Sequence, residues 1–133
     1  MRVEACFLIG VDGSVLWADR STSPSALPDS RDRWEAIWRH RHALAVIAHS
    51  HPAGPLAFSA EDTSTMAAID DALGRPLGYA VVTGRGLLYR DPDGSLRVAD
   101  REPAWVAELR AASEATDANQ ATRTTEEVRR GDS

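Results

Sequence analysis

The sequence predicts an α+β fold, a mixed β-sheet flanked by helices, and three observations predict it. Strand-like and helix-like segments are interleaved along the chain rather than grouped into blocks. Apolar runs near both ends are paired across short turns, Asp12-Gly13-Ser14 and Gly84-Arg85-Gly86, and read as hairpins. A short apolar run, Leu44 to Ala48, lies between two segments of helical character and reads as a buried strand.

The elements follow in order. Val3 to Val11 is apolar apart from Glu4 and pairs through the first turn with Val15, Leu16 and Trp17. Ser21 to Ser30 is rich in Ser and Pro and is a loop. Trp34, Ile37, Trp38 and Arg41 fall at helical spacing, so an amphipathic helix follows, with Trp34 and Trp38 assigned to core packing and His40 and His42 to a solvated helix end. The strand over Leu44 to Ala48 ends in the polar His49-Ser50-His51-Pro52. Two prolines and a glycine make Pro52 to Phe58 a loop. Ser59 then opens a helix over Ala60 to Leu73, closed by Gly74 and Pro76. Tyr79 to Thr83 and Leu87 to Arg90 form the second hairpin, and Pro92-Asp93-Gly94 turns the chain into a last strand over Leu96 to Val98. Ala104 to Ala112 forms a third helix, with Trp105 and Leu109 four apart. From Ser113 onward aliphatic residues nearly vanish, so one domain is expected over 1–112 and a polar, disordered tail over 113–133.

Composition bounds the function. A chain of 133 residues that is 43% hydrophobic can bury one core without disulfides or structural metals. A formal charge of -5 and a pI near 5.3 argue against broad binding to a phosphate backbone, so nucleic acid is not an expected partner. The single cysteine, Cys6, has no intramolecular partner and the opening residues do not resemble a secretion signal, so the expected location is the cytoplasm. The longest purely apolar run, Leu44 to Ala48, is far short of the roughly 20 residues a membrane span requires.

The chemistry gathers where the Leu44 strand ends. His49 and His51 are two residues apart, so on an extended backbone both imidazoles leave the same face. Asp62 lies in the first turn of the following helix, and the Pro- and Gly-containing loop between allows it to return to them. Two imidazoles and one carboxylate leave one tetrahedral position for water, the arrangement of a catalytic rather than a structural zinc. Glu4 is the only charged residue of the first strand. If that strand lies beside the one ending at His49, Glu4 can take a proton from the water and pass it to a leaving amine. Ser59 has a hydroxyl placed to donate to an oxyanion, a contribution typically worth ~3 kcal/mol. Each residue also has a plainer reading. Ser59 and Asp62 have the spacing of a helix N-cap with an acidic third residue; the histidines can be polar strand-end residues; Glu4 can be exposed near the terminus.

His49-Ser50-His51-Pro52, six residues, then Ser59-Ala60-Glu61-Asp62 resembles the signature of the JAMM (MPN-plus, JAB) metallopeptidases, and the resemblance extends roughly from Val3 to Val98. It implies a cytidine-deaminase-like architecture, one Zn2+ per chain held by His49, His51 and Asp62, Ser59 stabilising the oxyanion and Glu4 as the general base. It also implies cleavage after the C-terminus of a ubiquitin-like modifier, in deconjugation or precursor maturation. Short bacterial members commonly accompany E1-like and E2-like enzymes, including those of anti-phage defence systems. Glu4 to Asp12, and Ala43 to Asp62 with Pro52-Ala53-Gly54, are also similar to the RadC branch. Where many members carry a Glu-x-Cys-Gly strand, Phe7 stands in place of the glycine.

Four functions therefore compete. An active zinc isopeptidase requires the full ligand set. An inactive interaction scaffold would not use it, and a RadC-like protein acting on DNA would show salt-sensitive binding. A zinc nucleobase deaminase needs a Cys-x-x-Cys pair that a chain with one cysteine lacks.

Overall fold

A computed structural model describes residues 4–20, 31–52 and 54–114. The chain runs β1 (Ala5–Gly10), β2 (Val15–Arg20), α1 (Arg31–Arg39), β3 (Leu44–Ser50), α2 (Ala60–Leu73), β4 (Gly78–Thr83), β5 (Gly86–Arg90), β6 (Leu96–Val98) and α3 (Ala104–Glu114). The six strands form one sheet in the order β2-β1-β3-β4-β5-β6. β3 and β4 are parallel and joined through α2, and the other neighbours are antiparallel. This is the mixed α+β sheet that the interleaved segments predict.

β1 is apolar at nearly every position because both faces of the sheet are covered. Cys6 and Leu8 join Ile47, Tyr79, Ala36 and Ile37 of α1, and Met66 and Ile69 of α2, in one core cluster. Ala5, Phe7 and Ile9 join Ala48, Ala80, Val82 and α3 residues Trp105, Val106 and Leu109 in a second cluster on the opposite face. Two apolar layers are thus buried with β1 shared between them, each full burial of an aliphatic side chain contributing about 1.5–3 kcal/mol.

α2 is set by its caps. Ser59 is the N-cap in extended conformation, with its hydroxyl accepting from Asp62 N and the Asp62 carboxylate accepting from Ser59 N. Gly74 closes the helix at φ 70°, a left-handed conformation that glycine adopts without the penalty of a Cβ. Between these caps Asp62, Met66 and Ile69 are buried at spacings of four and three, so the inward stripe of the helix carries a carboxylate at its first turn.

Several boundaries and one assignment differ from the sequence expectation. β3 continues through Ser50, so His49 lies within the strand. α1 ends at Arg39, and Arg41 lies beyond it. α3 continues through Ser113 and Glu114, two residues past the expected domain boundary; the loop expected over 21–30 and the remainder of the expected tail, 115–133, lie outside the described residues. Trp38 is not core packing: it is 55% exposed, with the Arg41 guanidinium 4.0 Å above its ring, while Trp34 packs partly against the first cluster. The inward positions of α1 go to Arg33, Ala36 and Ile37. Arg33 tolerates burial because it ion-pairs with Asp19 of β2. No helix among the described residues is long and apolar enough to cross a membrane.

Candidate metal centre

Strand register assembles the site. Cys6 pairs with His49 across the antiparallel β1–β3 ladder, and continuing that register brings Glu4 against His51. Ser50, between the two histidines, points the other way, and its hydroxyl accepts a buried hydrogen bond of 2.9 Å from Ala5 N. The strand end that carries Glu4 is therefore pinned to the strand that carries both imidazoles. Asp62 enters from the first turn of α2.

Glu4, His49, His51 and Asp62 each offer one ligand atom, and these atoms lie within 4.8 Å of one another. His49 Nε2 and His51 Nε2 are 3.1 Å apart, and they stand 3.3 and 3.2 Å from the same oxygen, Asp62 Oδ2. Bonds of about 2.0–2.1 Å to a tetrahedral ion give ligand-to-ligand edges of about 3.3–3.4 Å, so this near-equilateral triangle matches one face of such a site. His51 Nδ1 lies 3.3 Å from the Pro55 carbonyl, which can only accept. That places the proton on Nδ1 and leaves Nε2 as the ligand atom, the usual supporting arrangement for a metal-binding histidine. A Cβ at Gly54 would stand 3.3–3.4 Å from the His51 side chain, so the absence of a side chain there leaves the ring its place. Phe58 packs against the His49 ring at 6.1 Å.

All four groups are buried, with Glu4 and Asp62 at 0% exposure, His49 at 2% and His51 at 6%. Burial lowers the His49 pKa, which keeps that imidazole neutral and available as a ligand. For His51 burial also acts downward, but the contacts with Asp62 and the Pro55 carbonyl outweigh it and the net shift is upward. Against the upward push of burial, the contacts with His49 and His51 and the bond from Ser59 N hold Asp62 well below the usual carboxylate range. Glu4 differs. Burial raises its pKa to about 8, with His51 acting downward and Asp62 upward, and neither carboxylate oxygen has a hydrogen-bond partner. An unpartnered buried carboxylate is costly, and it makes sense beside a cation or a polarised ligand. The donor set and this orphaned carboxylate fit a divalent metal ion.

Every sequence candidate falls in or beside one cluster. Glu4 is buried, not exposed, and the capping-box reading of Ser59 and Asp62 holds together with their place in the cluster: Asp62 Oδ2 caps α2 and faces both imidazoles. Ser59 is half-buried. Its oxygen accepts from Asp62 N, which leaves the hydroxyl proton free for donation. Sequence reasoning missed Ser50, Pro55 and Phe58 as supports and the buried Arg33–Asp19 pair, whose charges act on Glu4. The inward stripe of Arg33, Ala36 and Ile37 was the available signal for Arg33; the main-chain contact of Pro55 had none.

Fold and site together define a mixed-sheet α+β domain with a candidate metal centre at the carboxyl end of its parallel strand β3. The chain matches the family of prokaryotic homologs of the JAB domain over residues 4–93, and it belongs to that family. No curated protein matches the chain.

Proposed function

We propose that the chain is a zinc-dependent hydrolase of the JAMM type that cleaves the peptide or isopeptide bond after the C-terminus of a ubiquitin-like modifier. The observation that carries this reading is the buried Glu4 carboxylate, without a hydrogen-bond partner, set against the His49–His51–Asp62 triangle. A structural site needs no such group, whereas a hydrolase needs a base beside its ligands.

His49, His51 and Asp62 would hold the ion, oriented by the β1–β3 register, the Pro55 carbonyl and the α2 N-cap. When bound, it supplies Lewis acidity that lowers the pKa of a water and polarises a carbonyl. Glu4 takes one proton from the attacking water as the new C–O bond forms and delivers it to the amine nitrogen as the C–N bond breaks. The Ser59 hydroxyl donates a hydrogen bond to the developing oxyanion. In this reading the modifier is released with a free carboxylate, and E1-like and E2-like enzymes of the same system are the functional neighbours.

A second reading, an interaction scaffold that works without the metal, is favoured by one observation: none of the four groups is more than 6% exposed. Two measurements separate the readings. Elemental analysis of purified protein beside the His49→Ala/His51→Ala double variant should show about one zinc per chain, lost in the variant. Ubiquitin-like fusions should be cleaved by the wild type and not by Glu4→Ala with its zinc retained. Protein that takes up no zinc, even after reconstitution, supports the scaffold.

A further inference from the structure

Next to the metal centre, between the loop ahead of α2 and the outer strands β5 and β6, lies a groove of about 440 Å³. Leu56, Phe58, Met66, Leu88 and Leu96 line it, with Arg90 as the one charged lining side chain. It is joined to the centre at two points. Phe58 packs against His49, and Met66 lies one helical turn beyond Asp62 on the buried stripe of α2.

Two features mark what the groove is shaped to receive. β6 is the edge of the sheet, its three residues are exposed, and among the described residues no strand pairs with its outer side. Leu96 and Val98 stay 60% and 63% exposed. Such an edge accepts an extended peptide through main-chain hydrogen bonds while alternate side chains enter the adjoining pocket. Arg90 is half-buried and, among the described residues, no carboxylate lies within ion-pairing distance of it. Its neighbour Arg97 differs, being held by Asp91 and stacked on Tyr89. A half-buried arginine at the margin of an apolar groove is complemented by a carboxylate.

We propose that this groove is a substrate-recognition surface for an extended segment carrying aliphatic side chains and a neighbouring acidic residue, laid against β6 with the acidic residue on Arg90. The word substrate rests on the hydrolase reading; the binding surface does not. A segment with a lysine or arginine at that position is disfavoured.

The test uses zinc-loaded Glu4→Gln protein, so that binding is read without cleavage. Fluorescein-labelled octapeptides of alternating leucine and serine, with one glutamate or one lysine at the same place, are titrated by fluorescence anisotropy. The glutamate peptide should bind about tenfold more tightly than the lysine peptide, and Arg90→Glu should reverse the order. Leu96→Asp, a change at an exposed position, should weaken both peptides by about tenfold. Equal binding of the two peptides overturns the proposal, as does a preference untouched by Arg90→Glu in a variant whose melting temperature is unchanged. Should Arg90→Glu fail to fold, undiminished binding to Leu96→Asp overturns it. If both variants behave as stated while the wild type cleaves nothing, the groove stands and the hydrolase reading falls; if the wild type cleaves fusions and both variants bind normally, the groove alone falls.

Discussion

The backbone N–H of Ala5 donates a buried 2.9 Å hydrogen bond to the hydroxyl of Ser50, two residues that lie 45 apart in sequence. Ala5 follows Glu4, and Ser50 separates His49 from His51. One side chain that never faces the candidate metal centre thus holds Glu4 in register with His49 and His51.

Ser50→Ala leaves the Ala5 N–H buried without an acceptor, which should cost about 1–3 kcal/mol of stability in chemical denaturation. If the chain is a hydrolase, the freed strand end lets Glu4 drift, so kcat should fall while KM and zinc content change little. A variant that loses zinc instead would show that Ser50 positions the ligands and not Glu4.

Gly54 tests the support of His51. A methyl group there meets the His51 ring at 3.3–3.4 Å and crowds the contact of Nδ1 with the Pro55 carbonyl. Gly54→Ala should weaken metal binding by about 10–100-fold, the usual range for losing an outer support of a ligand, measured by competition with a chromogenic chelator. Unchanged affinity would mean that the loop yields at no cost.

Metal-free protein should show the mark of Glu4 in its pH dependence. Its carboxyl moves from 4.5 to about 8 on folding, so between these values the folded chain keeps a proton that the unfolded chain releases. The stabilisation from Glu4 is complete below about 4.5 and is lost as pH rises through about 8. Glu4→Gln does not titrate. Its melting temperature relative to wild type, both stripped by chelator, should therefore rise steadily from pH 4.5 to 8. A constant difference across that window would contradict the burial of Glu4 in the folded state.

The Arg33–Asp19 pair should behave as a buried ion pair. Asp19→Ala removes the carboxylate that ion-pairs with a guanidinium whose side chain is 3% exposed and should cost about 1.5–3 kcal/mol, the range for a hydrogen bond to a charged group. Adding Arg33→Met should recover much of that loss, because the buried charge goes with it. Denaturation of both single variants and the double variant measures the coupling.

Local chemistry carried most of the fold. Continuous apolar runs, two Gly-containing turns and a capped helix are properties of short segments, and each appears in the sheet or on α2 where the residues placed it. Trp38 escaped because helical spacing alone does not say which stripe faces inward. The answer depended on Asp19, which lies on strand β2 and meets the charge of Arg33.

The candidate metal-binding residues were legible for a similar reason: the two-residue strand period aligns His49 with His51, and the helical period puts Asp62 on the stripe of Met66 and Ile69. Sequence by itself therefore determined which residues have the chemistry and which faces they share. Only the tertiary structure decided that the Cys6–His49 register brings Glu4 to the cluster, that Ser50 and Pro55 hold its parts, and that an apolar groove margined by Arg90 opens beside it. Strand pairing and loop return join residues distant in sequence, and the energy that selects one pairing comes from burying both faces of the sheet together.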